Sequence, residues 1–173
     1  MDVVFPAMFA ALIAVCSWIS LPIGPVPFTL QTFAVCLCAG LLGTRLAMYS
    51  VLVYIVLGAI GVPVFAGFSS GLTGSASGYI IGFLFTALIV GLITEKFGRS
   101  FVVLALSMVL GIAVCYVFGT VWFIAVYTRT TGPVGIMAAL GWCVFPFILP
   151  DLAKIVLASV LVNRLSKVVQ IIR

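Results

Sequence analysis

The chain has 173 residues, 65% hydrophobic and 6% charged, with a net charge of +5 and a mean hydropathy of +1.47. A soluble domain carries about a quarter charged residues to keep its surface solvated, so this composition excludes one and implies an integral membrane protein, expected as a single domain over residues 1–173. The basic excess falls at the ends of apolar runs rather than in a patch, which argues against nucleic acid as a partner and for lipid around the chain.

A membrane helix needs about 20 apolar residues, and six such runs are expected in chain order. The first spans about 4–21 and stops at LPIGPVPFT, whose three prolines cannot continue a helix. It has no basic n-region and no small-residue cleavage site, so it reads as a retained helix. The second, about 29–43, ends at LLGTR; the third, about 46–60, breaks at the uncharged Gly/Ser-rich loop 61–78. The fourth covers about 79–94 and the fifth about 100–127. A short apolar piece at 134–145 precedes PFILP, and the sixth run begins at about 150 and extends to 168.

Lys and Arg set the orientation. Six spans put both termini and the 2–3 and 4–5 loops on one side, with Arg45, Lys96, Arg99, Arg164, Lys167 and Arg173; the other side has only Arg129. Both termini are therefore expected in the cytoplasm. The proline loop, the Gly/Ser loop and segment 128–149 then lie on the outer face, at the end where Asp151 opens the sixth helix.

Asp151 and Lys154 are the only charged residues between Arg129 and Arg164. A charge at membrane depth costs about 2.5–3.5 kcal/mol on insertion scales, so such residues are rare and usually functional. Pro150 at the first helical position and Asp151 in the first turn make a good helix start, with Lys154 as an i,i+3 partner. Capping accounts for the Asp but not for a Lys at the positive end of the dipole. A carboxylate accepts from N–H groups and an ammonium donates to a carbonyl, so an amide or urea edge would satisfy both.

Two further features stand out. In GVPVFAGFSSGLTGSASGYIIGF (61–83), glycines allow sharp bends and close approach, and Tyr79 adds an aromatic face and a hydroxyl at the loop–helix junction. On the first helix, Ala7 with Ala11 and Ala10 with Ala14 form small-xxx-small pairs, which suit close packing inside the chain or against a partner.

Several chemistries are absent. The sequence has no histidine, which excludes HExxH zinc proteases and Ser-His triads. No G-x-x-x-x-G-K-[ST] occurs, so ATP is not bound by that route. Five cysteines lie mostly inside apolar segments and read as buried, reduced thiols. Cys36 and Cys38 point in different directions on a helix, and no metal site is expected. With three carboxylates in all, no catalytic residues are assigned.

VPFTLQT (26–32), GAIGVPVFAGFSSG (58–71), SGYIIGF (77–83) and PFILPDLAK (146–154), in that order, resemble the BioY family over nearly the whole chain. These are the biotin-binding S components of energy-coupling-factor (ECF) transporters. The resemblance implies an all-α fold of six transmembrane helices in the cell membrane that captures biotin at the outer face and delivers it to the cytoplasm. It implies no cofactor, and ATP used only by partners: a transmembrane coupling protein and two ATPase subunits. The family's D-x-x-K pair falls on Asp151 and Lys154, and its GGY tyrosine on Tyr79. Thr29 and Gln31 match the loop that closes over the site. The family reads G-P-T-G-G-Y where this chain has Gly74-Ser75-Ala76-Ser77-Gly78-Tyr79, a departure around Ser77. Ala7, Ala10, Ala11 and Ala14 match the face that docks on the coupling protein.

Biotin has a ureido group with two N–H donors and a carbonyl, a thioether ring and a valerate tail. Asp151 is expected to accept from the N–H edge and Lys154 to donate to a ligand oxygen. Phe65, Phe68 and Phe145 are expected to line the ring, and loop N–H groups, Thr29 or Thr73 to meet the carboxylate. The alternatives are an S component for riboflavin or thiamine, or a membrane scaffold whose Asp151–Lys154 pair only holds the last helix.

Overall fold

The computed structural model describes residues 3–172. Its helices are α1 (Val4–Trp18), α2 (Gln31–Leu42), α3 (Thr44–Ala59), α4 (Ser77–Phe97), α5 (Phe101–Thr130), α6 (Ile136–Cys143) and α7 (Phe145–Ile172). Three stretches are long and apolar enough to cross a membrane: Ser77–Phe97, Phe101–Thr130, and Ile136–Lys167, which takes in α6 and most of α7. The helices α1, α2 and α3 are apolar but shorter, at 15, 12 and 16 residues.

At the centre lies α2, packed against α1, α3, α4, α5 and α7. Small residues permit this. Ala34, Cys38 and Ala39 are fully buried, and a Cβ at Gly40 would meet Val162 of α7 at 2.8 Å. Large apolar side chains of α5, such as Val102, Leu106, Leu110, Val117 and Val121, point outward, as a lipid-facing stripe does.

The expected extent of the first run, about 4–21, needs one correction. The first apolar run ends as helix at Trp18, and Ser20–Leu21 pairs antiparallel with Phe28–Thr29 as a two-stranded ribbon, β1–β2. Pro22, Pro25 and Pro27 lie between or beside the paired residues; lacking N–H groups, they bar helix but tolerate a short ribbon. Loop 61–76 also carries a single 3-10 turn, Ala66–Phe68.

A second correction concerns α7. It begins at Phe145, not Pro150, and Pro150 lies inside it. An internal proline removes the hydrogen bond to residue i−4. Here that residue is Pro146, whose position at the exposed start of the helix leaves its carbonyl accessible. Asp151 is therefore not a first-turn cap, and other partners must hold it.

The small residues of α1 divide. Ala10 and Ala14 are buried inside the chain, and Ala7 and Ala11 are exposed. Ala10 and Ala14 thus serve internal packing and are not available to a partner, contrary to the expectation for all four.

The two ends of the molecule differ. At one end, Glu95 of α4 accepts from the Thr44 backbone N–H at 2.7 Å and from its hydroxyl at 2.9 Å, and Asn163 donates to the Arg99 carbonyl at 3.0 Å. These contacts gather Arg45, Lys96, Arg99 and Arg164; Arg173 lies outside the described residues. At the other end, the Trp18 indole donates to the Pro63 carbonyl at 3.0 Å and Trp122 to the Gly74 carbonyl at 3.1 Å, holding loop 61–76 from both sides.

Candidate functional site

At the tryptophan-bearing end is a cavity of about 380 Å³, within the range of ~300–1,000 Å³ common for small-molecule sites. Its walls come from the α1–α2 connection, loop 65–76, the start of α4, the middle of α5 and the first turns of α7. Asp151, Lys154, Tyr79, Gln31, Thr29, Ser77 and Thr73, spread over more than 120 positions of sequence, all line it.

Its polar centre is the ion pair. Asp151 and Lys154 are only 4% and 8% exposed, and Lys154 Nζ lies 2.8 Å from Asp151 Oδ1. Burying two charges costs several kcal/mol per ion unless every proton and lone pair is met. Here the ammonium places all three protons: on Asp151, on the Thr29 carbonyl at 2.6 Å and on the Thr32 hydroxyl at 3.1 Å. It also sits 4.0 Å from the centre of the Phe28 ring, a cation–π contact. Asp151 Oδ1 accepts in addition from the Thr32 hydroxyl at 3.0 Å, and Oδ2 accepts from the Tyr116 hydroxyl.

The α1–α2 connection is fixed on several sides. Lys154 holds the Thr29 carbonyl, and the Phe28 ring stacks on Phe147 of α7 with centroids 6.2 Å apart. The Thr29 hydroxyl donates to Gln31 Oε1 at 2.9 Å, while Gln31 Nε2 donates to the buried Tyr54 hydroxyl of α3. The Ser75 hydroxyl reaches the Pro25 carbonyl at 3.3 Å. Thr29 thus lines the cavity with its hydroxyl engaged by Gln31.

Across the cavity, the Tyr79 hydroxyl donates to the Cys143 carbonyl at 3.3 Å, and its ring packs tightly on Gly119. Ser77, the first residue of α4, is 3% exposed and lines the cavity. Phe65 lines the cavity as expected. Phe68 and Phe145 do not: Phe68 is exposed and stacks on Trp18 at 5.1 Å, and Phe145 points outward. Phe28, Phe83 and Phe147 take their place.

The BioY family profile matches residues 1–171. The chain belongs to the BioY family. Among its relatives, the biotin transporter BioY of Thermotoga maritima is 41% identical over 163 residues, 92% of each chain. A probable biotin transporter BioY of Pyrococcus horikoshii is 40% identical over 168 residues, covering 95% of this chain and 96% of that one. The fold matches a crystal structure of the S-component for biotin from an ECF-type ABC transporter with a TM-score of 0.85, at 27% identity, over 96% of this chain and 90% of that one.

In this BioY member the residues that sequence reading missed are Thr32, Tyr116 and Phe28. Thr32 follows Gln31 inside the quoted VPFTLQT motif. Tyr116 offers no comparable signal, being one aromatic in a long apolar run. All five cysteines are free and buried; Cys115 and Cys143 contribute to the cavity wall. Among the described residues no cluster of three or more His, Cys, Asp or Glu is placed to hold a metal ion.

Proposed function

We propose that this chain is the biotin-binding S component of an ECF-type transporter, taking biotin into the cavity around Asp151 and passing it across the membrane. The observation that carries the reading is the buried Asp151–Lys154 pair inside an otherwise apolar cavity. An oily pocket with one fixed carboxylate suits a ligand with an apolar bicyclic body and a polar N–H edge. Asp151 accepts from a ureido N–H, and Phe28, Phe65, Phe83 and Phe147 enclose the ring system. Lys154 pairs with the carboxylate and ties down the α1–α2 connection. Ser77 opens α4, where the helix dipole favours an anion, and Thr73 lies in the loop before it; the valerate carboxylate is assigned to this part of the cavity.

Six spans are the reading best supported by the three long helices together with shorter, central α1–α3. The end that gathers Arg45, Lys96, Arg99 and Arg164 is assigned to the cytoplasm, and the tryptophan-bearing end, with the cavity, to the outside of the cell membrane. The exposed pair Ala7 and Ala11 is the part of α1 left for the coupling protein. ATP hydrolysis belongs to two partner ATPase subunits, and the chain itself carries out transport rather than catalysis, with no cofactor of its own.

Thermal unfolding of the detergent-purified chain tests the substrate. A ligand at 100 times its Kd stabilises the folded state by about 2.7 kcal/mol, so biotin is expected to raise the midpoint by several degrees while riboflavin and thiamine leave it unchanged. A rise with riboflavin or thiamine instead of biotin transfers the site to another vitamin. A scaffold would respond to none of them.

A further inference from the structure

We infer that Tyr116 is a specificity-determining residue of this site, the donor that meets the carbonyl oxygen of a ligand's N–H/C=O edge. The inference rests on the biotin reading and sharpens it. In a five-membered cyclic urea the two N–H bonds diverge to opposite sides of the carbonyl, so the edge offered to one protein cluster is an N–H beside a C=O. Such an edge needs one acceptor and one donor side by side.

Three donors touch Asp151: Tyr116, Lys154 and the Thr32 hydroxyl, the last held by the Lys154 ammonium as well. Lys154 has its three protons on Asp151 Oδ1, the Thr29 carbonyl and the Thr32 hydroxyl. Giving one to a ligand would break the ion pair, release the backbone that closes the cavity, or free the Thr32 hydroxyl that itself donates to Asp151. Tyr116 has one proton, given to Asp151 Oδ2, and its side chain lines the cavity. A hydroxyl hydrogen rotates about its C–O bond to suit its surroundings. A ligand N–H can take the place of the phenol on Oδ2, and the released phenol can turn to the ligand carbonyl. The exchange leaves the carboxylate with the same number of donors, the phenol with one acceptor and the lysine undisturbed. A buried N–H or C=O left unpaired by any other arrangement would incur a desolvation penalty. Tyr116 therefore selects for a true carbonyl beside the N–H.

The test compares biotin with 2-thiobiotin, whose thiocarbonyl is a weak hydrogen-bond acceptor, by equilibrium binding to the purified chain and to Tyr116→Phe. The wild type is expected to prefer biotin by tenfold or more. Tyr116→Phe is expected to lose about tenfold or more for biotin, little for the thio analogue, and so to bring the ratio close to one. An unchanged ratio in Tyr116→Phe overturns the inference and leaves the carbonyl to Lys154. Replacing Tyr116 with 3-fluorotyrosine, a stronger donor of nearly the same shape, provides a second measurement should the Phe variant fold poorly. Biotin is expected to bind it severalfold more tightly relative to the thio analogue, and an unchanged ratio counts against Tyr116. Wild-type protein that binds biotin but shows this indifference refutes the tyrosine alone; wild-type protein that does not bind biotin refutes the underlying reading as well.

Discussion

Lys154 is costly to bury and costly to remove. With its protons on a carboxylate, a backbone carbonyl and a hydroxyl, it is tolerated in an apolar surrounding; without it, the buried Asp151 carboxylate has no counter-ion. Removing one partner of a buried pair destabilises by about 3–5 kcal/mol, whereas replacing both with neutral groups of similar volume is often close to neutral. Lys154→Met is therefore expected to lower unfolding stability by about that amount, and Asp151→Asn combined with Lys154→Met to recover most of it, as read by denaturant titration in detergent. A double variant no more stable than Lys154→Met would mean that the pair is not the source of the cost. At this scale the sequence was informative where charge is scarce. Two charged residues in an apolar run marked the site, but a tyrosine in α5 has no such contrast with its neighbours. Only the fold brings Tyr116 to a carboxylate 35 positions away.

Helices were legible where long apolar runs are bounded by Gly, Pro or charge, as for α4 between the Gly/Ser loop and Gly98. The start of α7 was not, because two prolines lie five and one residues before Asp151 and either can open a helix. What decides is that Pro150 loses only the bond to the exposed carbonyl of Pro146. The ribbon Ser20–Leu21/Phe28–Thr29 is too short to leave a period in the sequence, yet it sets the register that delivers Thr29 to Lys154. Close approach of elements also depends on single glycines. A Cβ at Gly91 of α4 would fall 2.5 Å from the Thr44 Cα, and backbone cannot move aside as a side chain can. Thr44 is also the residue that Glu95 holds by two hydrogen bonds. Gly91→Ala is expected to force α3 from α4 and destabilise by about 1–3 kcal/mol, measured by thermal unfolding. A variant as stable as wild type would show that the interface can yield.

Across the whole molecule, basic residues mark one end and tryptophans and the cavity the other. Because the five native cysteines are all buried, introduced thiols report topology with little background. Ser70→Cys, in the exposed loop lining the cavity, is expected to react with a membrane-impermeant maleimide in intact cells, and biotin is expected to slow that reaction. Lys96→Cys, at the opposite end, is expected to react only after the cells are opened. The reverse pattern would invert the orientation. The central claim is that the buried carboxylate of Asp151 is what holds biotin. Isothermal titration of biotin into the purified wild-type chain and into Asp151→Asn tests it most directly, with thermal unfolding run beside each to show that both are folded. Wild type is expected to bind one biotin per chain, and Asp151→Asn to bind at least about a hundredfold more weakly, the loss of ~2.7 kcal/mol that fits a charge-assisted hydrogen bond of about 1.5–3 kcal/mol. A folded Asp151→Asn chain that binds biotin as tightly as wild type would contradict the account.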